Sequence, residues 1–125
     1  MNKKRILVID DEASITRGIK LNLEALGTFD VRQENLARMA VQSAGEFRPD
    51  LILLDVMMPE MDGGDVAARL REVPSLKDIP IIFLTAILSH EETEGDEAHI
   101  GGEDYLAKPV DMATLVQAIN NHLVD

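Results

Sequence analysis

The chain has 125 residues, which is enough for one hydrophobic core and leaves little material for a second domain. It has no cysteine, which excludes disulfides and thiol chemistry, and no apolar run approaches the length of a membrane span, so we expect a cytoplasmic protein without membrane association. The formal charge of −11 argues against direct nucleic-acid binding, because a phosphate backbone would be repelled.

Short aliphatic strands alternate with amphipathic helices along the chain. The apolar spacing predicts strands at 5–9, 28–32, 51–54, 79–84 and 105–107, and helices at 15–26, 36–47, 66–73 and 111–123. Asp111 is a suitable N-cap for the last helix. This alternation argues for an α/β fold in which a parallel sheet carries helices on both faces.

Four of the predicted strands are followed by side chains that can do chemistry. Asp10 and Asp11 follow the first strand, Asp55 the third, Thr85 the fourth and Lys108 the last. An open parallel sheet binds ligands at the carboxyl ends of its strands, so these side chains are expected to meet there. Crowded carboxylates repel one another, and a hard cation such as Mg²⁺ removes that cost. Each residue alone has an ordinary explanation, such as a turn cap or a surface lysine, and only the combination predicts a site.

This set resembles the receiver domain of two-component response regulators, as in the chemotaxis regulators, from end to end. The matching positions are the Asp10-Asp11 pair, Asp55 with Met58-Pro59 and Gly63, Thr85-Ala86, and Lys108-Pro109. We therefore expect residues 1–125 to form a single receiver domain. The resemblance implies a flavodoxin-like, doubly wound α/β fold with a five-stranded parallel sheet in the order 2-1-3-4-5 and about five helices.

The resemblance also implies a role for each acid. Asp55 would accept a phosphoryl group from the phosphohistidine of a histidine kinase or phosphotransfer protein, in a reaction that requires Mg²⁺ as cofactor. Asp11, Asp55 and the backbone carbonyl of Met57 would ligate the metal directly, while Asp10 would act mainly through water. Glu12 is expected at the start of the first helix, where negative charge is favourable.

The remaining roles concern the phosphoryl oxygens and the switch. By the resemblance, Lys108 and Thr85 would each contact a phosphoryl oxygen, and Thr85 would move inward to do so. Tyr105 matches the aromatic switch of the family, but a half-buried ring that only packs explains it equally well, and both interpretations stay open. The resemblance places Met57 and Ile87 beside the path of attacking water, and both are apolar, so we expect a long-lived phosphoryl group.

The segment 89–100 has almost no apolar face, although the family places its fourth helix there. We expect a short, frayed or shifted helix, and we expect this segment to be the mobile part of the switch. The face made by the fourth helix, fifth strand and fifth helix is where a downstream effector or a second copy would bind.

His90, His99 and His122 have no spacing typical of a metal site, and we interpret all three as surface residues.

The sequence gives less support to two other functions. An aspartyl-phosphate phosphatase of the haloacid dehalogenase type would need a second Asp two residues after Asp55, where Met57 stands. A non-phosphorylated pseudo-receiver that only binds partners would be expected to have lost an acid or Lys108. The leading interpretation is therefore a phosphoacceptor that catalyses its own phosphorylation and dephosphorylation, and not an enzyme acting on other substrates.

Overall fold

Strands and helices alternate in the computed structural model, which describes residues 3–86, 98–100 and 103–123. The strands are β1 (Lys4–Ile9), β2 (Phe29–Glu34), β3 (Leu51–Asp55), β4 (Ile81–Thr85), β5 (Ala98–Ile100) and β6 (Glu103–Ala107). The helices are α1 (Ala13–Ala25), α2 (Ala40–Phe47), α3 (Gly63–Arg71) and α4 (Met112–His122), and a 3-10 turn at Ala37–Met39 precedes α2. No helix in this part of the chain is long and apolar enough to cross a bilayer.

The sheet has the order β2-β1-β3-β4-β6-β5. Its first five strands are parallel, which confirms the predicted α/β fold and the order 2-1-3-4-5, with β6 as the fifth parallel strand. The sixth strand, β5, was not predicted and pairs antiparallel to β6. The described residues contain four helices instead of about five, and the position of the expected additional helix falls largely on residues 87–97, outside them.

The strand β5 corrects the end of the segment in which a helix was expected. Ala98–Ile100 is extended and in register with Glu103–Tyr105, so that Ile100 lies opposite Glu103. Only Gly101 and Gly102 stand between these two residues, and Gly-Gly is a sequence typical of two-residue hairpin connections. Backbone pairing to β6 therefore replaces helix formation where the sequence offers no apolar helical face.

The alternation of side chains along β1 builds two apolar layers. Ile6 and Val8 pack with buried residues of α1 and α4 on one face of the sheet. Leu7 and Ile9 pack with buried residues of α2 and α3 on the other face. All four side chains are fully buried, which is why a continuous apolar run, and not an apolar–polar alternation, encodes this strand. The helices thus cover both faces, as predicted.

Two helices begin with the side-chain caps that their sequences favour. The Asp62 carboxylate accepts a hydrogen bond of 2.8 Å from the backbone N–H of Asp65 at the start of α3. The Asp111 carboxylate accepts one of 3.0 Å from the backbone N–H of Thr114 at the start of α4, as predicted. These caps fix the residues at which α3 and α4 begin.

Candidate functional site

Three acids converge at the carboxyl ends of β1 and β3. Oxygens of the Asp10, Asp11 and Asp55 carboxylates all lie within 4.8 Å of one another. They meet because β1 and β3 are parallel neighbours with Ile9 opposite Leu54, so both strands end at the same edge. Asp10 is fully buried and Asp55 is 4 % exposed, whereas Asp11 faces solvent. The cluster is therefore open to a small ligand from the side of Asp11.

Lys108 closes the other side of this cluster. Its Nζ lies 2.7 Å from Oδ2 of Asp10 and 3.0 Å from Oδ1 of Asp55. The backbone N–H of Lys108 donates a 2.9 Å hydrogen bond to the carbonyl of Thr85, which ties this segment to the end of β4. The structure thus brings together the two strand-end acids and the lysine that the sequence placed at separate strand ends.

Burial and ion pairing together set the electrostatics of Asp55 and Lys108. Desolvation raises the pKa of the Asp55 carboxyl, and the nearby charge of Asp10 adds to this, while hydrogen bonds from Lys108 and from the backbone N–H of Met57 act in the opposite direction. Burial disfavours the charge on Lys108, but its bonds to Asp10 and Asp55 outweigh burial, so the pKa of Lys108 is raised. The ammonium therefore stays charged at neutral pH between the two acids.

The donor set fits a divalent cation. Three carboxylates and one ammonium leave an excess of negative charge, and oxygens are the ligands that Mg²⁺ prefers. Oδ1 of Asp10 accepts a 2.9 Å hydrogen bond from the backbone N–H of Glu12. Oδ2 is buried beside the Lys108 ammonium, its ion-pair partner. The negative charge that Lys108 leaves unbalanced in the cluster is what a bound cation would neutralise.

The loop after β3 lies against the edge of the sheet that carries the acid cluster. The backbone N–H of Gly63 donates a 2.7 Å hydrogen bond to the carbonyl of Val56, which folds the loop back onto the end of β3. Met57 stands in this loop with its side chain 67 % exposed, and its backbone N–H contacts the Asp55 carboxylate. Met57 is thus beside the acid cluster, as expected of a residue that would offer a backbone ligand there.

Thr85 and Tyr105 lie on the neighbouring strands. Thr85 ends β4, is buried, and stands in register with Ala107, one residue before Lys108. The Tyr105 ring stacks on Phe83 with centroids 5.2 Å apart and an angle of 25° between the planes. This contact supports a packing role for the ring in this conformation, and the switch role of Tyr105 stays a prediction.

The histidines were interpreted as surface residues, and for His122 this is wrong. Its side chain is 19 % exposed, Nε2 lies 2.7 Å from Oδ2 of Asp104, and Nδ1 lies 2.8 Å from the carbonyl of Ala118. The position of His122 in the last turn of α4 was the available signal, because histidine there can bond the final carbonyls. His90 and the side chain of His99 lie outside the described part of the chain.

A family model for the response regulator receiver domain matches residues 6–120. The chain belongs to this family. The polar-differentiation response regulator DivK of Brucella anthropi is 32 % identical to it, and the alignment covers 98 % of each chain. The crystal structure of the chemotaxis protein CheY4 of Vibrio cholerae is 28 % identical, with a TM-score of 0.82, and the match covers 98 % of this chain and 100 % of that one.

Longer regulators match the chain over part of their length. The DNA-binding dual master transcriptional regulator RpaA of Synechocystis sp. is 37 % identical over 92 % of this chain, which corresponds to 47 % of RpaA. The alkaline phosphatase synthesis transcriptional regulatory protein PhoP of Bacillus subtilis is 41 % identical over 87 % of this chain and 43 % of PhoP. The chain thus spans less than half the length of these relatives and nearly the full length of DivK.

Proposed function

We propose that this receiver domain accepts a phosphoryl group on Asp55 from a histidine kinase or phosphotransfer protein, in a reaction that requires Mg²⁺. The observation that carries the proposal is the cluster of Asp10, Asp11 and Asp55 carboxylates within 4.8 Å, with Lys108 in contact with two of them. We also propose that residues 1–125 act as one receiver unit that controls a downstream partner through its conformation.

The reaction is an in-line displacement at phosphorus. An ionised Asp55 oxygen bonds to phosphorus while the bond between phosphorus and the donor's imidazole nitrogen breaks, and that nitrogen keeps the electron pair. The Lys108 ammonium, 3.0 Å from Asp55, is placed to pair with a phosphoryl oxygen once Asp55 carries the acyl phosphate. Thr85, at the end of the adjacent strand, would donate its hydroxyl to another such oxygen.

The metal would be held by Asp11, Asp55 and the backbone carbonyl of Met57, with Asp10 acting through water. When bound, Mg²⁺ supplies positive charge that neutralises the phosphoryl oxygens and lets an anionic donor approach three carboxylates. Asp11 is the exposed member of the cluster, so it is the acid that an incoming cation meets first. Catalysis would be confined to the domain's own phosphorylation and hydrolysis.

The proposal is tested by intact-mass measurement after incubation with acetyl phosphate. With Mg²⁺ present, we expect the mass of one phosphoryl group to be added, and with EDTA we expect none. Absence of the added mass at saturating Mg²⁺, in a protein that remains folded, would favour the alternative of a pseudo-receiver that binds partners without being phosphorylated.

The metal ligands predict unequal effects of two neighbouring substitutions. Asp11→Ala is expected to weaken Mg²⁺ binding at least tenfold, the loss typical even of residues that only support a ligand, whereas Glu12→Ala should change it little. Glu12 precedes α1 and is exposed, and Asp11 is one of the three clustered acids. Isothermal titration calorimetry on both variants measures this difference, and equal losses would mean that the ligand is misassigned.

The lifetime of the phosphoryl group is expected to be long. The exposed Met57 side chain stands next to Asp55 and offers attacking water no hydrogen bond. Ile87, the second residue expected to hinder water, lies outside the described residues. A variant with polar residues at both positions should lose the phosphoryl group several-fold faster than wild type when decay is followed by mass spectrometry. An unchanged decay rate would show that these side chains do not set the lifetime.

The output surface remains a proposal. We propose that an effector or a second copy binds the face that the family builds from its fourth helix, fifth strand and fifth helix. In this chain the last two of these elements are β6 and α4. The prediction that residues 89–100 are the mobile part of the switch falls mostly on residues outside the described part, and only Ala98–Ile100 is described, as the strand β5.

A further inference from the structure

The peptide between Asp10 and Asp11 is held by a residue that directly follows another strand. Asn35 follows β2, and its Nδ2 lies 2.7 Å from the backbone carbonyl of Asp10 and 2.9 Å from Oγ1 of Thr16. The backbone N–H of Asp10 also donates a 3.1 Å hydrogen bond to the carbonyl of Glu34. The end of β2 therefore fixes both backbone polar groups of Asp10.

The amide of Asn35 can satisfy these contacts in one orientation only. The Thr16 hydroxyl donates its single proton to the carbonyl of Ala13 at 3.1 Å, so it can only accept from its other neighbours. Nε2 of Gln33 donates to the same hydroxyl oxygen at 2.8 Å, which fills its second lone pair. Both neighbours of the Asn35 nitrogen are thus acceptors, and one of its two hydrogens is donated to the Asp10 carbonyl and the other to the Thr16 hydroxyl.

This arrangement matters for Asp11 more than for Asp10. The Asp10 carboxylate is held directly, by the backbone N–H of Glu12 and by Lys108. The Asp11 carboxylate has neither a hydrogen bond nor an ion pair within the described residues, so its position depends on the backbone that carries it. The carbonyl that Asn35 binds belongs to the planar peptide joining these two acids, and fixing the carbonyl fixes the direction in which Asp11 leaves the strand.

We infer that Asn35 is a positioning residue for the metal site, acting through the Asp10–Asp11 peptide. The inference rests on the proposed Mg²⁺-dependent function and deepens it, since it names a residue outside the acid cluster that sets cation affinity. Without this amide, the carbonyl would turn to another donor, and the exposed carboxylate would sample positions away from its two partners. Groups that orient metal ligands in this way typically change affinity by about 10- to 100-fold when removed.

Asn35→Asp is the sharpest test, because it keeps the shape of the side chain and replaces the donor by an oxygen that repels the Asp10 carbonyl. Calorimetric titration with Mg²⁺ should show about tenfold or greater weakening. Gln33→Ala is the matched control, since it removes the other donor to Thr16 but does not touch Asp10, and its affinity should stay near that of wild type.

A second readout separates positioning from general loss of structure. In EDTA, the amide NMR resonance of Asp11 should shift in Asn35→Asp and in Asn35→Leu, while resonances of α3 and α4 stay in place. Asn35→Leu adds no charge, so a loss of affinity shared by both variants cannot come from a new carboxylate.

The outcomes are distinct. If wild type does not bind Mg²⁺, the proposed function fails. If wild type binds it and both Asn35 variants, folded in EDTA, bind it equally well, the proposed function stands and the role of Asn35 is refuted. Equal weakening in the Gln33 control would also overturn the inference, because the contact to Asp10 would not be the cause.

Discussion

Asparagine in place of Asp55 is expected to abolish phosphoryl transfer and, at the same time, to stabilise the metal-free protein at neutral pH. The amide oxygen is too weak a nucleophile to displace a phosphoryl group, so labelling by acetyl phosphate should fall to background. The stabilisation follows from burial, since the ionised Asp55 carboxylate is 4 % exposed and lies beside Asp10 and Asp11. An amide of the same shape removes that repulsion while its oxygen can still accept from Lys108.

The pH dependence of this stabilisation has a definite sign. The pKa of Asp55 is raised in the folded protein, chiefly by desolvation, so folding favours its protonated form. Its contribution to stability is present below the pKa of the unfolded chain and is lost as the pH rises through the raised pKa of the folded protein. The advantage of Asp55→Asn should therefore be largest at neutral pH and should vanish in acid.

Thermal unfolding in EDTA at several pH values measures the difference. A gain on the order of 1 kcal/mol would raise the melting temperature by roughly 4 °C for a domain of this size. Asp30→Asn is the matched control, because it makes the same change in net charge on an exposed side chain of β2, away from any helix start. A variant that is unlabelled but no more stable than this control would mean that the Asp55 charge is not the destabilising group.

The fold and the acid cluster were predictable because their signals are local. A run such as Leu51–Leu54 encodes a strand that is buried on both faces, and the residue after it must then lie at the carboxyl edge. Asp10 and Asp55 each follow such a run and Lys108 follows a shorter apolar segment, and parallel pairing in the strand order implied by the family resemblance brings the three together.

Contacts that depend on register could not be predicted in this way. Asn35 reaches Asp10 because β1 and β2 pair with Ile9 opposite Glu34, and a shift of one residue would move its side chain to the other face. The contact between His122 and Asp104 likewise depends on how α4 packs against β6. The strand β5 has only three residues and no alternation of apolar and polar residues that would predict a strand. The Gly-Gly pair after it was the only sequence signal for a hairpin there.

Alanine in place of Gly63 is expected to destabilise the protein, although Gly63 begins a helix and alanine normally favours one. The reason is space, because a Cβ built at Gly63 would lie 2.6 Å from the backbone carbonyl oxygen of Asp55 and 3.0 Å from Cα of Val56. Both atoms belong to the backbone at the end of β3, so no side chain can move aside. Forcing an atom into such a contact costs about 1–3 kcal/mol through backbone shifts.

Gly18→Ala is the matched control for this prediction. It makes the same substitution inside α1, where an added Cβ meets nothing within 4 Å, and it should stabilise the protein by roughly 0.5–1 kcal/mol. Urea unfolding of both variants should therefore give changes of opposite sign. Since the backbone that must yield at Gly63 carries Asp55, the same variant should also be phosphorylated more slowly at saturating Mg²⁺. A Gly63→Ala protein as stable as Gly18→Ala would show that the end of β3 is not packed tightly against α3, and the expected effect on Asp55 would be refuted.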